Sequence, residues 1–530
     1  MAIGRDKVSK VYRLPTVTEE TPMASLQWLL QLSFSPFLLF ASILLLLKLL
    51  FNQNSTKTKP NLPPCPPKLP IIGNLHQLGT MPHLSLRRLS NKFGPIIYLQ
   101  LGQIPTVVVS SAKLAKQVMK THDLALSNRP PIFSAKLLFY DCTDIAFAPY
   151  GAYWRHIRKL CILELLSAKR VQSFSFVREE EVARLVRRVS ESSYPATVNL
   201  SKLLGFYAND NLCRVALGRG FSHGRDYDRR GFQKMLEEYQ ELLGGFSIGD
   251  FFPSMEFIHS LTGLKSKLQS TFQRFDRFFD EVITEHLDPD RHKEEHSKDL
   301  LDVLLDIQNS KSNEINLTID NVKAIMLDMF AAGTDTTFIT LDWAMTELIM
   351  NPKVLETAQA EIRKVVGDRR VVLETDLPHL DYMKAVIKET WRLHPPAPVL
   401  LPRESMEDVT IDRFDIPTKT RIFVNVWAIG RDPELWENPE CFAPERFVHS
   451  SIDFKGQDFE LIPFGAGRRS CPAITFGTVS VELALAQLLH SFDWELQSGT
   501  EAKDLDLTEN FGITMHKIAP LMVIAKPHFP

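Results

Sequence analysis

The sequence predicts a mainly α-helical protein with small β-sheets, and three observations support this fold class. From about residue 112 to 395, apolar residues recur at spacings of three and four, which is the period of an amphipathic helix. A β-rich stretch with a glycine-containing turn covers residues 94–111 and predicts a hairpin ahead of the helices. Strand-like stretches return at 408–426 and 513–526. Helices therefore form the centre of the sequence, and short strands lie on both sides of it.

Length, composition and charge limit the classes of protein that the sequence can encode. Its 530 residues, 44% of them hydrophobic, can bury a large core in one domain or in two closely joined ones. The net charge of −2 lacks the positive balance typical of nucleic-acid-binding proteins, so no nucleic-acid partner is expected. The six cysteines are scattered without a CxxC pair, which fits a reducing compartment such as the cytosol.

The N-terminal region predicts a membrane anchor. Residues 1–25 form a mixed, charged extension, and residues 26–51 are strongly apolar and long enough for one transmembrane helix, which needs about 20 residues. No small-residue cleavage site follows, so a retained anchor is predicted rather than a removed signal peptide. Basic residues lie on both sides of the anchor and leave its orientation open. A translation start at Met23 would remove the upstream positive charges and favour a cytosolic domain.

A proline-rich hinge follows the anchor at residues 52–72. Proline fixes φ and lacks an N–H donor, so the hinge is expected to be a stiff spacer between the bilayer and a folded domain at 73–530. Within that domain, the polar run 288–312 is interpreted as an exposed linker between helices. Residues 292–296 have the letters of an inverted zinc-protease motif but no apolar face, and are interpreted as a solvated turn.

The strongest chemical signal is the glycine-rich loop at 463–474, which runs into an apolar helix. Pro472 suits the first helical position, where a missing N–H costs nothing. Cys471 would then lie at the helix N-terminus, where the dipole and the free amides stabilise a thiolate. Such a thiolate can bind iron and donate electron density that favours O–O cleavage. The alternative is a buried, unreactive cysteine.

This loop resembles the haem-binding signature of the cytochrome P450 superfamily, Phe-x-x-Gly-x-Arg-x-Cys-x-Gly. Phe464, Gly467, Arg469 and Cys471 match the signature, and Ala473 replaces its last glycine. Alanine is small and a better helix former than glycine by about 1 kcal/mol, so this change is expected to be tolerated. The resemblance implies the cytochrome P450 fold and a haem b cofactor whose iron is bound by the sulfur of Cys471.

A second motif places Glu389 and Arg392 on a predicted helix, where residues three apart share a face. On its own, this spacing indicates a surface ion pair. Downstream, residues 442–447 resemble the family's meander segment, whose arginine, here Arg446, joins the pair. The resemblance implies a buried structural network of these three side chains on the haem side of the core.

A third motif, residues 331–337, lies inside a predicted helix that begins near Thr318. Glycine and clustered threonines are poor helix formers, and threonine hydroxyls bond to carbonyls four residues back, so we expect a local widening with room for dioxygen and water. The resemblance implies that Thr336 and Asp335 assist proton delivery during oxygen activation, which needs a hydroxyl beside a solvent-linked carboxylate. The alternative is a bent core helix.

Haem propionates need cationic and N–H donors, and the predicted helix around residue 155 offers both. Trp154 and Arg158 are one helical turn apart, so their N–H groups can meet carboxylates together. The neighbouring Arg155 and Lys159 either form a solvated face or dock an acidic flavoprotein. The resemblance implies that the propionates are held by Trp154, Arg158, Arg403 and Arg469.

An apolar substrate pocket is expected beside the oxygen site. Such a lining suits a hydrophobic small molecule that is oriented by few polar contacts. Each residue that is predicted to line the pocket could instead belong to the ordinary core. The predicted lining residues are Phe133, Leu137, Leu138, Phe139, Phe330, Ala331, Val399, Leu400, Phe511 and Ile513.

The resemblance covers nearly the whole chain and extends in detail to the large plant group of microsomal enzymes acting on specialised metabolites. It implies an O2-dependent monooxygenase at the endoplasmic-reticulum membrane, facing the cytosol, with electrons from NADPH through a flavoprotein, NADPH-cytochrome reductase. The expected substrate is a terpenoid, an indole alkaloid or a phenylpropanoid. Two alternatives are a haem-thiolate isomerase or dehydratase that needs no reductase, and a haem-binding sensor without turnover. The pairing of Asp335 with Thr336 argues against both.

Overall fold

The computed structural model of the chain describes residue 42 and residues 60–192, 196–220, 232–245, 247–291, 298–310, 316–497 and 499–529. The chain divides into two units, Met1–Lys59 and Pro60–Pro530. The predicted extension, almost all of the predicted anchor and the first part of the hinge lie outside the described residues. Among the residues that are described, no helix is both long and apolar enough to cross a membrane.

The prediction of a mainly α-helical fold is confirmed. Most of the helices, from α2 to α14, fall inside the region where the sequence has a helical period. In chain order the described helices are α1 Pro82–Phe93, α2 Ala112–Lys116, α3 Phe133–Leu138, α4 Ala152–Leu160, α5 Ala168–Ser173, α6 Ser175–Ser192, α7 Leu200–Leu217, α8 Phe232–Gly244, α9 Ile258–Leu261, α10 Leu264–His286, α11 Leu300–Asn309, α12 Ile319–Met350, α13 Pro352–Val366, α14 Asp381–Leu393, α15 Val426–Ile429, α16 Glu445–Val448 and α17 Ile474–Ser491.

The strands form small sheets, as the sequence predicts. They are β1 Ile96–Leu101, β2 Ile104–Val109, β3 Val198–Asn199, β4 Arg403–Glu404, β5 Val409–Ile411, β6 Phe414–Ile416, β7 Arg421–Val424, β8 Phe492–Leu496, β9 Glu509–Phe511, β10 Met515–Lys517 and β11 Met522–Pro527. The predicted hairpin is confirmed, since β1 and β2 pair antiparallel with Leu101 opposite Ile104. One sheet has the order β1-β2-β7-β4 and another the order β3-β11-β8, while β5–β6 and β9–β10 are two-stranded hairpins.

Helix α12 is the longest described helix, with 32 residues and a length of about 48 Å. Thr318 caps it, because the Thr318 hydroxyl accepts the Asn321 N–H at 3.2 Å and the Asn321 side chain accepts the Thr318 N–H at 3.1 Å. The predicted helix start near Thr318 is therefore confirmed. Helix α12 packs along α7 and contacts α14 and α17, so its middle lies in the interior of the unit.

Residues 60–72, the second part of the predicted hinge, pack on the folded domain. The Tyr98 N–H on β1 donates to the Pro64 carbonyl oxygen at 2.9 Å. The Asn74 side chain donates to the Pro66 and Pro67 carbonyl oxygens, each at 3.3 Å. A proline-rich segment has carbonyl groups without internal partners, and the neighbouring strand and loop supply the donors. These residues form an edge of the folded domain.

The polar run 288–312 contains helix α11, so the prediction of an exposed linker is wrong for residues 299–305. The Asp299 side chain accepts the Asp302 N–H at 2.9 Å and caps helix α11. Residues 300–305 are all buried. The sequence shows a short apolar stretch there, but the charged residues around it dominate the average. The zinc-motif residues 292–296 lie outside the described residues.

Candidate active site

The loop that carries Cys471 folds into a tight turn before helix α17. Residues Gly467–Arg469 form one turn of 3-10 helix, and the Cys471 N–H donates to the Phe464 carbonyl oxygen at 2.9 Å. Helix α17 begins at Ile474, so Pro472 precedes the helix, whereas the sequence predicts it at the first helical position. Cys471 still lies at the N-terminal end of α17, and it lines the large cavity of the domain.

Gly467 and Asp123 fix the conformation of this loop. Gly467 has a φ of +70°, and an added Cβ would lie 2.2 Å from the Met119 carbonyl oxygen. No other residue type fits such a position without strain. Asp123 accepts the Arg468 N–H at 2.9 Å and a guanidinium N–H of Arg403 at 3.0 Å. Asp123 is absent from the sequence prediction, because its role arises only when two distant segments meet.

The environment of the Cys471 thiol favours the protonated form until a cation binds. Burial raises the pKa of Cys471, and the backbone N–H of Ala473 and the charge of Arg158 lower it less. The helix N-terminus alone therefore does not make the thiolate that the sequence predicts. A coordinating metal ion deprotonates a thiol, so iron would reverse this balance. Ala473, at the family's glycine position, also lines the cavity.

An arginine cluster lines one part of the cavity and consists of Arg129, Arg158, Arg403 and Arg469. Arg158 on α4 donates to the Ser470 carbonyl oxygen at 2.6 Å. Arg403 on β4 donates to the Ala466 carbonyl oxygen at 2.8 Å. Burial lowers the pKa of Arg158 and Arg403, and burial with the charge of Arg403 lowers the pKa of Arg469 to about 9. These desolvated cations attract an anionic group strongly.

Trp154 supports this cluster and does not line the cavity. Its Nε1–H donates to the Ile145 carbonyl oxygen at 3.0 Å, so it is not directed at a propionate as the resemblance implies. The Arg469 guanidinium lies 4.0 Å from the centre of the Trp154 ring. Arg469 also donates to the carbonyl oxygens of Ser127, Ile145 and Ala148 at 2.8, 3.3 and 2.6 Å. Trp154 therefore positions Arg469.

Arg129 is a cavity residue that the sequence analysis misses. Its side chain is buried. It donates to the carbonyl oxygens of Ala146, Leu401 and Pro402 at 2.8, 2.9 and 2.8 Å. Burial, with the charges of Arg469 and Arg403, lowers the pKa of Arg129 well below its usual range. The segment around Arg129 has no periodic pattern, so only its position beside other arginines in the fold reveals its role.

The residues of the cavity fit haem. The cavity has a volume of about 310 Å³, and Asp328 is the single carboxylate among the described residues that line it. Four arginines against one carboxylate leave an excess of positive charge, which the two propionates of a porphyrin would neutralise. The apolar walls suit the ring, and the Cys471 thiol suits its iron. The loop Phe464–Ala473 and the arginine cluster are together called the thiol side.

Helix α12 contributes Thr336 to the cavity wall. The Thr336 hydroxyl donates to the Ala332 carbonyl oxygen at 2.7 Å, and Thr337 and Thr340 make the same type of bond at 2.8 Å each. These bonds to the preceding turn agree with the expectation for clustered threonines. Helix α12 nevertheless stays α-helical along its whole length, so the predicted local widening is absent.

Asp335 does not line the cavity itself, although its neighbour Thr336 and its partner Thr514 do. Its carboxylate accepts a hydrogen bond from the Thr514 hydroxyl, which lies just before β10. Burial raises the pKa of Asp335, and Thr514 and His516 oppose this shift. Successive residues of a helix point about 100° apart, which explains why the hydroxyl and the carboxylate face different surroundings. Asp335 thus connects α12 to the β9–β10 hairpin.

Glu389, Arg392 and Arg446 meet in one buried network. Arg392 binds Glu389 with two N–H groups at 2.6 and 2.8 Å, and Arg446 binds the same carboxylate at 3.0 Å. The Ala443 N–H adds a further bond to Glu389 at 2.8 Å. Arg392 also donates to the Cys441 carbonyl oxygen at 3.0 Å. The network ties helix α14 to the segment that leads into α16, and it does not line the cavity.

The substrate side of the cavity is apolar. Four of the residues predicted to line it do so, namely Phe139, Ala331, Leu400 and Ile513. Other lining residues come from elements that the sequence analysis does not connect with the pocket. We call six of the apolar lining residues the apolar wall: the predicted Phe139 and Ile513, and four residues that the sequence analysis misses, namely Phe147, Phe174, Leu212 and Leu243.

Six residues predicted to line the pocket lie elsewhere: Phe133, Leu137, Leu138, Phe330, Val399 and Phe511. Phe330 is fully buried and packs on Phe279 with 6.2 Å between ring centres. Phe133 packs on His259 at 4.1 Å, and Phe511 stacks on His83 at 5.7 Å. Leu138 and Leu137 belong to the core around α3, and Val399 packs on the cluster beside β1 and β2. Adjacent residues point to different sides of a helix or strand, so neighbours of true lining residues fall into the core.

A sequence profile of the cytochrome P450 family matches residues 63–522, which is most of the chain. The chain therefore belongs to the cytochrome P450 family. "Cytochrome P450 71AP13" of Prunus mume is 75% identical over 514 residues and covers 97% of this chain and 99% of its own length. The phenylacetaldehyde oxime monooxygenase CYP71AN24 of the same plant is 47% identical over 508 residues, or 94% of this chain and 96% of that one.

Solved structures agree with this assignment. A zebra fish cytochrome P450 bound to abiraterone matches with a TM-score of 0.73 and 26% identity, over 85% of this chain and 100% of that one. The protein is a haem-thiolate monooxygenase of the plant group of specialised metabolism, so haem and O2 are its cofactor and oxidant. The alternative of an isomerase that needs no reductase is not supported.

Proposed function

We propose that this enzyme inserts one oxygen atom of O2 into a hydrophobic plant metabolite, with electrons from NADPH supplied by a membrane-bound flavoprotein reductase. The observation that carries the proposal is one cavity that joins the Cys471 thiol, four arginines, the Thr336 hydroxyl and the apolar wall. The other oxygen atom leaves as water, which consumes two electrons and two protons. The reductase would supply the electrons, and side chains of the cavity would conduct the protons.

Haem held by Cys471 would supply the redox chemistry that activates O2. Arg129, Arg158, Arg403 and Arg469 would bind the propionates, with Trp154 and Asp123 positioning two of them. The Thr336 oxygen, which faces the cavity, is placed to pass a proton inward. The Asp335 carboxylate accepts the Thr514 hydroxyl, so Asp335 would turn from Thr514 toward Thr336 to pass a proton on to it.

The substrate would be a compact hydrophobic molecule such as a terpenoid, an indole alkaloid or a phenylpropanoid. The apolar wall supports this, because it offers aromatic and aliphatic side chains and few polar groups. One polar group near the wall is Gln240, whose side-chain N–H donates to the Ala331 carbonyl oxygen at 2.8 Å. A relative that acts on phenylacetaldehyde oxime supports a small aromatic ligand as one of the classes to be tested.

Attachment to the endoplasmic-reticulum membrane, with the domain in the cytosol, is part of the proposal. The apolar sequence at 26–51 supports it, although it lies outside the described residues. A patch of exposed apolar residues on the domain supports it as well. This patch consists of Leu69, Ile71, Ile72, Met255, Phe257 and Leu261, of which Ile71 is 84% and Leu261 79% exposed.

The two segments of this patch are tied together by the turn between β1 and β2. Gly102 N–H donates to the Ile72 carbonyl oxygen at 3.2 Å, and the Gln103 side chain donates to the Ser254 hydroxyl at 2.8 Å.

The patch can be tested by liposome flotation with a chain that begins at Pro60 and so lacks the predicted anchor. This chain should float with liposomes, and the double variant Ile71→Asp, Leu261→Asp should not. Equal flotation of both proteins would remove the patch from the proposal.

Helix α4 offers a place for the reductase to dock. Arg155 and Lys159 are exposed on α4, while Arg158 of the same helix reaches the cavity. Reversing both charges with Arg155→Glu and Lys159→Glu should slow turnover that is driven by NADPH and reductase. Turnover driven by peroxide should be unchanged. If both rates are unchanged, Arg155 and Lys159 form a solvated face only.

The central test combines a spectrum with an assay. The reduced protein treated with carbon monoxide should show the absorption band of thiolate-ligated haem, and Cys471→Ser should abolish that band. The membrane-bound enzyme with a plant reductase should then consume NADPH together with product formation on a panel of terpenoids, indole alkaloids and phenolics. A band typical of histidine-ligated haem, or product formation without NADPH, would contradict the proposed function.

A further inference from the structure

Two buried carboxyl groups, those of Asp144 and Asp328, meet at the wall of the cavity. Asp144 lies in the loop between α3 and α4 and has no exposed surface, and Asp328 on α12 is also buried. The two carboxyl groups serve the same short segment, since Asp328 accepts the Ile145 N–H and Asp144 accepts the Phe147 N–H. Neither residue belongs to the motifs of the sequence analysis or to the oxygen chemistry of the proposed function.

The hydrogen bonds of this pair leave one buried carboxyl oxygen without a partner. Asp144 Oδ2 accepts the Phe147 N–H at 2.9 Å, and Asp328 Oδ2 accepts the Ile145 N–H at 2.5 Å. Asp144 Oδ1 is buried and has no hydrogen-bond partner among the described residues. Ionised carboxylates only accept hydrogen bonds, so a proton on one of the two groups would satisfy this oxygen and remove the repulsion between two buried charges.

The surroundings favour one negative charge on the pair and disfavour two. Burial raises the pKa of Asp144 to about 6, and burial with the charge of Asp144 raises the pKa of Asp328 well above its usual range. Arg129 and Arg469 lie near Asp144 and can compensate one negative charge on the pair. The neighbouring cysteine thiols and tyrosine hydroxyls stay neutral, because burial raises the pKa of each of them. The titratable groups around the pair are Arg129, Arg469, Cys142, Tyr153, Cys161 and Tyr239.

The pair holds one side of a short segment, and the arginine cluster holds the other. The N–H groups of Ile145 and Phe147 point to the two carboxyl groups. The carbonyl oxygens of Ala146 and Ala148 accept from Arg129 and Arg469 at 2.8 and 2.6 Å. The segment 144–148 is therefore fixed between helix α12 and two of the arginines that face the cavity.

We propose that Asp144 and Asp328 share one proton, and that this proton-sharing pair positions Arg129 and Arg469 for haem by fixing segment 144–148. The two aspartates are positioning residues, since they act on the cofactor through the segment and the arginines. The inference rests on the proposed function only in taking haem as the ligand of the arginine cluster. Loss of the shared proton leaves two facing charges, which loosens the segment.

The first test measures haem loss from the full chain by transfer to an excess of an apo-globin. Asp328→Asn can accept the Ile145 N–H and donate to Asp144, so it should lose haem within about twofold of the wild-type rate. Asp328→Leu is similar in size but leaves the Ile145 N–H without a partner and removes the carboxyl group with which Asp144 would share a proton. It should lose haem faster by roughly tenfold to a hundredfold, as expected for unpaired buried polar groups.

The second test detects the proton itself. The wild-type protein should show an infrared band of a protonated carboxyl group that both Asp144→Asn and Asp328→Asn abolish. Glu482→Gln is the control, because burial raises the pKa of Glu482 to about 7 and this carboxyl lies outside the segment. Glu482→Gln should remove a different band and leave haem loss unchanged.

The pH dependence of haem loss gives a third readout that does not rely on the fold of any leucine variant. Because both pKa values are raised, the shared proton is held to a higher pH than an ordinary carboxyl proton and is lost as the pH rises further. Wild-type haem loss should accelerate toward alkaline pH, and Asp328→Asn should show a flat profile over the same range. Haem loss from Asp328→Asn at the leucine rate, a persistent band or a flat wild-type profile would overturn the proposal. Wild-type protein without thiolate-ligated haem would overturn the proposed function instead.

Discussion

The thiol side and the apolar wall share one cavity but are built in different ways. The thiol side comes from one continuous loop and a few arginines, and almost every polar group in it donates to a named carbonyl or carboxylate. The apolar wall takes single residues from α7, α8, the β9–β10 turn and the segments beside α3, α4 and α5. The thiol side therefore tolerates little change, while the wall can vary without loss of the fold. This difference predicts a graded set of mutational effects.

The largest effect is expected outside the cavity, in the network of Glu389. Glu389→Gln removes the charge that Arg392 and Arg446 share, and an unpaired buried cation costs about 3–5 kcal/mol of the free energy of unfolding. Chemical denaturation of the full chain measures this loss. Glu445→Gln is the control, since Glu445 is exposed and binds only the Tyr382 hydroxyl, and it should cost less than about 1 kcal/mol.

If Glu389→Gln proves as mild as Glu445→Gln, the network adds little to stability. The thiol side would then owe its order to haem rather than to the protein alone.

A smaller effect is expected for Gly467→Ala. The left-handed φ and the contact with the Met119 carbonyl oxygen should cost about 1–3 kcal/mol and weaken haem binding. Gly205→Ala on α7 is the matched control, because its Cβ would meet only Phe338 at 4.0 Å. That variant should be more stable by up to about 1 kcal/mol. Unfolding and haem content check both, and a harmless Gly467→Ala would show that the loop adjusts freely.

The same contrast explains which parts of the molecule could be predicted. Helical period and the glycine-rich loop are local patterns, and they identify the fold class and the Cys471 loop from the sequence. Arg129, Asp123 and Asp328 have no local pattern, because each acquires its role when distant segments meet. The prediction of the cavity-lining residues is partly wrong for a related reason. Phe330 and Ala331 are both apolar, and only the rotation of α12 about its axis decides which of them faces the cavity.

Thr514 lines the cavity beside Ile513 and donates its hydroxyl to Asp335. We therefore expect a change at Thr514 to alter the pH dependence of the reaction rate. Its hydroxyl stabilises the ionised form of Asp335, so Thr514→Val should raise the pKa of Asp335 further. The limb of the pH–rate profile that Asp335→Asn abolishes should therefore move to higher pH in Thr514→Val. Thr514→Ser keeps the hydroxyl and should restore the wild-type limb.

A matched control for this experiment is Thr508→Val, which removes a hydroxyl from an exposed Thr508–Asp506 pair. Its profile should equal that of the wild type. A limb that stays in place in Thr514→Val would mean that Thr514 shapes the cavity without tuning Asp335.

The smallest effect on stability is expected in the apolar wall itself. Ile513→Val removes one methylene group from a partly buried residue and should cost about 0.5–1 kcal/mol. Because Ile513 faces the cavity, the same change should alter the ratio of products or substrates by severalfold, which product analysis measures. Ile518→Val makes the same chemical change at a 62% exposed position and should alter neither quantity. Equal product ratios in both variants would mean that Ile513 does not touch the substrate, and that the specificity of the wall lies with its aromatic residues.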